Sequence, residues 1–384
     1  MRRGLTGRYE ATTTVGERVE AFVPAALPPR PPLDLSGDLN TLVERAALAL
    51  GRLDSASVLL PDTALFLYSY VRKEAVLSSQ IEGTQSSLSD LLLFEIEEAP
   101  GAPLDDVAEV SGYVRALEHG LARLRGGFPV TARLIKEMHA KLLERGRGSD
   151  KQPGEFRRSQ NWIGGTRPGN AHFVPPPHTE VPSCISELER FVHDESSDLP
   201  RLVTAGLAHA QFETIHPFLD GNGRIGRLLI TLLLCDFGVL HEPLLYLSLY
   251  FKEHRDEYYR LLDLARLEGD WEAWLGFFLQ GAAETADEAV ATARDLGRLF
   301  GQDRGRIQAL GRRAGSALRV HDSLKERPLV SLAEVVARSG LSFPAASKAM
   351  DELVAMGIAR ELTGKKRNRV FAYDRYLATL AAGT

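Results

Sequence analysis

Apolar residues return every three to four positions over most of the chain, the repeat of an amphipathic helix. The first such stretches cover residues 39–51 and 62–82, the latter starting at Asp62 and carrying Leu65, Leu67, Tyr68, Val71, Ala75, Val76 and Leu77 at helical spacing. A third helix is predicted from Ser86 to Glu98, where Pro100 and Gly101 stop it. The period resumes over 107–125, 131–145, 182–193, 202–216 and 223–237, with Gly238 placed to cap the last of these. Further helical pattern fills 254–281, and 283–318 reads as a polar, Ala-rich helical connector.

Three stretches depart from this period. Residues 21–34 (AFVPAALPPRPPLD) hold too many prolines for a helix and predict an extended arm. Residues 154–177 set Trp162, Ile163, Phe173 and Val174 around the turn formers GGTRPGN, which predicts two short strands and a hairpin turn. Near the C-terminus, helix (332–337), turn (340–342), helix (344–356) and a ribbon (360–363 with 370–373) around the basic tip Lys365, Lys366, Arg367 and Arg369 follow the order of a winged helix. The expected fold is mainly α, with one β-hairpin and a C-terminal winged helix-turn-helix. Its parts are an N-terminal arm with helices (1–104), a core (105–281), a connector (282–318) and the winged helix (319–384).

Composition narrows the function classes. Among 384 residues, 46 Lys and Arg face 51 Asp and Glu, a net charge of −5, so nucleic-acid binding has to come from a local patch. Hydrophobic content of 44% with 25% charged residues excludes wholesale disorder. The two cysteines, Cys184 and Cys235, lie far apart, which argues against a zinc ribbon, a redox CxxC or a disulfide scaffold and points to a reducing compartment. The longest apolar run, 228–235, ends at Asp236, well short of the ~20 residues that cross a bilayer. The first twenty residues lack the apolar core of a secretory signal, so a cytoplasmic protein without a membrane partner is expected.

The chemistry gathers in HPFLDGNGRIGR, His216 to Arg227. Gly221, Gly223 and Gly226 spell GxGxxG, but a dinucleotide fingerprint follows a strand, and the residues before this one keep a helical period. What remains is a helix stopped by Pro217, a tight loop, and a second helix starting near Asn222. Backbone N–H groups of such a loop at a helix N-terminus form a nest for phosphate. Arg224 and Arg227 reach the same region from the following helix. Asp220 beside the nest is suited to a hard cation, Mg²⁺ first, although capping the helix is an Asp's commonest local task. His216 is the neighbouring group that accepts a proton near neutral pH.

This segment matches the signature HPFx(D/E)GNGRxxR at every specified position, and the chain resembles the Fic (Fic/DOC) family. Enzymes of that family move AMP from ATP to a Ser, Thr or Tyr hydroxyl of a protein. The resemblance implies His216 as general base, Asp220 as the Mg²⁺ ligand, and Gly221, Asn222 and Gly223 as the phosphate cradle. Arg224 would contact the β-phosphate and Arg227 the γ-phosphate, with Ile225 and Gly226 in the same nucleotide-binding stretch. Ile163, Gly164, Gly165 and Thr166 would belong to a flap that covers the nucleotide and pairs with the target by strand addition. Tyr258 and Tyr259 resemble adenine-side residues, although two adjacent tyrosines cannot both face one core.

Glu82 stands out independently: it ends a helix, where the macrodipole disfavours an anion by about 0.3–1 kcal/mol, so a cationic partner is expected. The segment Ser78 to Gly83 (SSQIEG) resembles the family's inhibitory pattern (S/T)xxxE(G/N), which implies that Glu82 reaches Arg227 and displaces a γ-phosphate. An autoinhibited transferase acting on a hydroxyl-bearing protein, itself included, is the expected function. The alternatives are AMP removal at the same site, or a DNA-bound regulator whose core senses nucleotide. DNA or protein contact through the winged helix and homodimerisation complete the expected partners.

Overall fold

The computed structural model describes residues 2–59, 63–97, 104–365 and 368–381. Asp62, Glu98, Pro100, Gly101, Lys366 and Arg367, on which parts of the expected element ends and basic tip fall, lie outside the described residues.

The core is built on two helices that cannot face water. In α7 (Arg201–Ile215) every residue from Leu202 onward is buried, and α8 (Asn222–Asp236) is buried from Arg224 to Leu234. A helix buried on all sides belongs at the centre of a bundle, and the polar side chains these two carry, His209, Glu213, Arg224 and Arg227 among them, are buried with it. Helices α6 (Val181–Val192), α10 (Arg255–Glu268) and α11 (Trp271–Gln308) pack on α7, α4 (Leu104–Arg125) and α5 (Ala132–Leu142) pack on α8, and α9 (Ser248–Glu253) packs on α10 and α11. The 38 residues of α11 carry the chain without a break across 281 and 282, where the sequence suggests a boundary between core and connector. Helix α1 (Asp38–Leu59) lies along α11. Helix α2 (Thr63–Ile81) packs on α4 and α9, and α3 (Leu88–Glu97) on α2 and α4. Among the described residues no helix is long and apolar enough to cross a membrane.

The first correction concerns the N-terminus, where an antiparallel hairpin precedes the proline-rich arm. Strand β1 (Gly7–Thr14) pairs with β2 (Glu17–Pro24), with Tyr9 opposite Phe22. Val15 and Gly16 both take positive φ, the conformation of a two-residue hairpin turn. Residues 21–24, expected in the arm, are therefore the buried end of a strand. The second correction concerns 154–177: one isolated bridge, Ile163 to Phe173, and a 3-10 turn at Pro168–Asn170 stand where two strands are expected. Its prolines supply no N–H with which to extend a ladder.

At the C-terminus, α12 (Ala314–Glu326), β3 (Leu329–Ser331), α13 (Leu332–Ser339), α14 (Phe343–Ala355), β4 (Arg360–Glu361), β5 (Val370–Ala372) and α15 (Asp374–Ala381) form a small unit with strand order β3-β5-β4. Ser331 caps α13 in a reciprocal box with Glu334. The unit is bolted to the rest of the chain at two places. Asp303 of α11, fully buried, accepts from Tyr373 Oη at 2.6 Å and from Arg375 Nη2 of that unit, and from Arg306 Nη1 of its own helix at 2.9 Å. Helices α12 and α15 abut α2, where Tyr376 Oη meets Ser69 Oγ at 3.1 Å and Arg327 lies 4.5 Å above the Tyr68 ring.

Candidate active site

Helix α7 ends because Pro217 has no N–H to continue it. His216 turns the chain in the left-handed region (φ 49°, ψ 60°), an uncommon conformation for a residue other than glycine. The surroundings hold it there. Arg157, 2% exposed, donates from Nε to the His216 carbonyl at 2.9 Å and from Nη2 to the Pro176 carbonyl at 2.6 Å, while its own N–H reaches Pro217 O at 2.9 Å. Asn161 Nδ2 donates to Phe218 O at 3.0 Å. Asn222 closes the loop from the other side, its Oδ1 accepting Phe218 N–H at 2.8 Å and its Nδ2 donating to Phe218 O at 2.9 Å. The Asn222 side chain is thus committed to the loop, which leaves its backbone to the cradle.

The first turn of α8 is already covered by an anion. A side chain at Gly223 would meet Glu82 Oε1 at 2.3 Å, so the Glu82 carboxylate rests directly against this helix end. Arg227 grips it from Nη2 at 2.7 Å and donates to Ser78 Oγ (2.8 Å, from Nε) and Ser78 O (2.9 Å, from Nη2). Gly83 (φ +99°) lets the chain turn off α2 just after Glu82. Burial raises the Glu82 pKa, but the charge and hydrogen bond of Arg227 outweigh it and hold the carboxyl below its usual range. The same pairing outweighs burial at Arg227 and raises its pKa.

Asp220 sits at the mouth of the loop. Its Oδ1 accepts Gly221 N–H at 2.5 Å and Arg224 Nη2 at 3.1 Å. Its carbonyl accepts His139 Nε2–H at 3.0 Å; the proton is on Nε2 because Nδ1 accepts Gly154 N–H at 2.9 Å. The His139 ring stacks on Phe218 at 3.7 Å, and burial lowers its pKa to about 4, so it stays neutral. His216 Nδ1 is buried with no hydrogen-bond partner. Burial first and the Arg157 charge second lower the His216 pKa to about 4, leaving an uncharged imidazole at neutral pH.

Other expected site residues are placed differently. Ile225 is fully buried and its N–H is spent on Gly221 O at 3.0 Å, so it is core and not ligand surface. Gly226 makes room for a side chain: a Cβ there would lie 2.1 Å from Glu213 Oε1, a carboxyl that burial pushes up to about 7. Gly226→Ala is expected to cost about 1–3 kcal/mol by overpacking, read as a lower urea midpoint at unchanged m. Tyr258, also expected at the nucleotide, is 1% exposed and donates its hydroxyl to His209 Nε2 at 2.9 Å, while His209 Nδ1–H donates to Gly226 O at 2.8 Å. Tyr259 is the half-buried member of the pair, with Arg255 5.1 Å over its ring. In the flap, Ile163 holds the bridge, Gly164 and Gly165 turn at positive φ, and Thr166 N–H is caught by Asn170 Oδ1 at 3.0 Å. The flap is pinned to α10 by His172 on Asp263 (2.7 Å) and by Arg266, 4.1 Å over the Phe173 ring. Arg157, His139, His209 and Glu109, which pairs with Arg224 Nη1 at 2.7 Å, are the structural partners that the motif by itself does not name.

The structure thus brings His216, Asp220 and the N-terminus of α8 together on one loop of a helical core, with the Glu82 carboxylate lying against that helix end and paired with Arg227. Residues 40–122 match the Fic/DOC family N-terminal model and residues 129–234 the Fic/DOC family model, and the chain belongs to the Fic/DOC family. Over 197 residues it is 33% identical to the protein adenylyltransferase Fic of Drosophila yakuba and 32% identical to that of Drosophila melanogaster; each alignment covers 51% of this chain and 37% of the relative. In fold it is similar to a Fic family protein from Desulfovibrio desulfuricans G20 (TM-score 0.59, 19% identity, 90% of this chain and 98% of that one). Fic-1 from C. elegans is also similar (TM-score 0.52, 23% identity, 68% and 73%).

Proposed function

We propose that this chain transfers AMP from ATP to a protein hydroxyl, and that Glu82 holds it inactive at rest. The observation that carries the reading is the Glu82 carboxylate on the first turn of α8, paired with Arg227, in the place and with the charge of a phosphate group. When Glu82 leaves, the α8 N-terminus and Arg227 are free to receive the β- and γ-phosphates. His216, neutral and unpartnered at Nδ1, takes the proton from the target hydroxyl as its oxygen attacks the α-phosphorus. The bond from the α-phosphorus to the bridging oxygen breaks and pyrophosphate departs, its charge met by Arg227 and the backbone N–H groups.

The residues fit a divalent cation, Mg²⁺ by preference. Asp220 is the carboxylate at the mouth of the loop, and a single carboxylate together with substrate phosphates is a usual way of holding such an ion. Asp220 Oδ1 is engaged by protein donors, and Oδ2 borders Gly148, where a Cβ would stand 2.7 Å away and crowd a ligand. Such an ion, when bound, neutralises phosphate charge as the leaving group forms.

The test is ATP radiolabelled at the α- or the γ-phosphate, incubated with the Glu82→Gly variant and a cell extract. Protein label from the α position alone is the expected result; label from the γ position would replace AMP transfer with phosphoryl transfer.

A further inference from the structure

Arg224 does not stand open as a phosphate ligand does. Its side chain is 1% exposed, with Nη1 on Glu109 Oε1 at 2.7 Å and Nη2 on Asp220 Oδ1 at 3.1 Å. Glu109, from the first turns of α4, is itself 1% exposed and also meets Arg147 at 3.2 Å. A guanidinium that left this place for a phosphate would leave the buried Glu109 carboxylate only the longer contact to the half-exposed Arg147, and breaking a buried pair is costly. Arg224 is thus held between two carboxylates, by an ion pair to Glu109 and by its Nη2 hydrogen bond to Asp220, and it is through that bond that it acts on Asp220.

The effect on Asp220 follows from its two oxygens. Oδ1 already accepts Gly221 N–H and Arg224 Nη2, which fills its directions within the protein and leaves Oδ2 for an added ligand. Gly148 (φ +85°) runs beside Oδ2, and its neighbour Arg147 lies on Glu109, so one short loop touches both ends of the chain of contacts. We propose that Glu109 is a positioning residue: it anchors Arg224, which turns Asp220 so that Oδ2 alone faces the nucleotide-bound divalent cation. This rests on the reading of Asp220 as the cation ligand of an ATP site.

The test uses the full chain in the Glu82→Gly background, with Mn²⁺ binding followed by electron paramagnetic resonance in the presence of α,β-methylene ATP. Glu109→Gln is expected to weaken Mn²⁺ binding about tenfold or more, the usual effect of losing an outer-shell partner, while nucleotide affinity in EDTA stays as in the parent. Arg224→Met should weaken Mn²⁺ similarly, and Glu109→Gln should add less than about twofold to it, since both break one chain of contacts. If Glu109→Gln does not fold, Glu109→Asp, which keeps the charge on a shorter stem, is read instead, and a smaller loss of Mn²⁺ affinity is expected. Parental Mn²⁺ affinity in a folded Glu109 variant, an equal loss in EDTA, or no Mn²⁺ binding by Glu82→Gly itself overturns the proposal. A lack of AMP transfer with normal Mn²⁺ and nucleotide binding would instead defeat the proposed reaction and leave this inference standing.

Discussion

Glu82→Gly is expected to raise the rate of AMP incorporation about ten- to fortyfold over wild type. Opening the cradle requires breaking the Arg227 Nη2 to Glu82 Oε1 bond of 2.7 Å. A hydrogen bond to a charged group contributes about 1.5–3 kcal/mol, and about 1.4 kcal/mol is a factor of ten. Glu82 is 31% exposed against 2% for Arg227, so water screens part of the pair and favours the lower half of that range. The same substitution removes the anion seated on the α8 N-terminus, and nucleotide affinity should rise with the rate. Stability moves the opposite way. Arg227 keeps only its two bonds to Ser78, so the nucleotide-free variant should melt below wild type, and ATP with Mg²⁺ should restore it by mass action. Intact-mass measurement of AMP addition, calorimetric titration with ATP, and melting with and without nucleotide give three readouts. Wild-type rate and wild-type affinity together would mean that the pair is not the brake. The brake also has a pH sense: the Glu82 carboxyl is held below its ordinary range, so the pair is complete at neutral pH and is lost as pH falls through that lowered value.

The loop from His216 to Arg227 was legible because its chemistry is contiguous. Pro217 ends one helix, Gly221 (φ +77°) turns the chain, and the two arginines follow at helical spacing. Its supports were not, because they arrive from other segments and look ordinary where they stand. Glu109 follows two exposed-type acids, Asp105 and Asp106, and only its phase sets it apart: it shares a helix face with Tyr113 and Ala116, both buried. His139 carries the same signal, three residues before Leu142 and four after Ile135. A charged or titratable residue inside an apolar stripe has to find a partner, but the stripe does not say which. Adjacency correctly told that one of Tyr258 and Tyr259 packs; the hydroxyl acceptor that selects Tyr258 is His209, about fifty positions earlier. The N-terminal hairpin escaped for a local reason. Its turn is Val15-Gly16, and a β-branched residue at positive φ is an outlier that turn chemistry does not anticipate. The flap erred in the other direction, since apolar residues on both sides of a turn suggested strands that the flanking prolines cannot pair.

In the Glu82→Gly background, His216→Ala should lower transfer by about 10²–10⁴, the span of a lost general base, with ATP affinity unchanged. The structure adds a pH profile to that expectation. His216 is pressed toward its neutral form by burial and by the charges of Arg157 and Arg266, while Glu82 alone among its charged neighbours, together with the Glu213 backbone, pulls the other way. Removing Glu82 therefore lowers the pKa further below about 4 rather than raising it. Protonation inactivates a base, so a lowered pKa keeps the active form fully populated through the mildly acidic range. The rate constant kcat/KM should stay level from pH 7 down to about pH 5, where a histidine of ordinary pKa near 6.5 would already have lost more than tenfold. Stability has the matching sign: the unfolded chain binds the His216 proton at higher pH than the folded one, so the contribution of the neutral ring falls as pH drops from about 6.5 toward 4. An acid limb near pH 6.5 that is accompanied by neither nucleotide loss nor unfolding would show that His216 titrates as an exposed imidazole. It would mean that the buried loop, held by Arg157 and Asn161, does not keep the ring neutral.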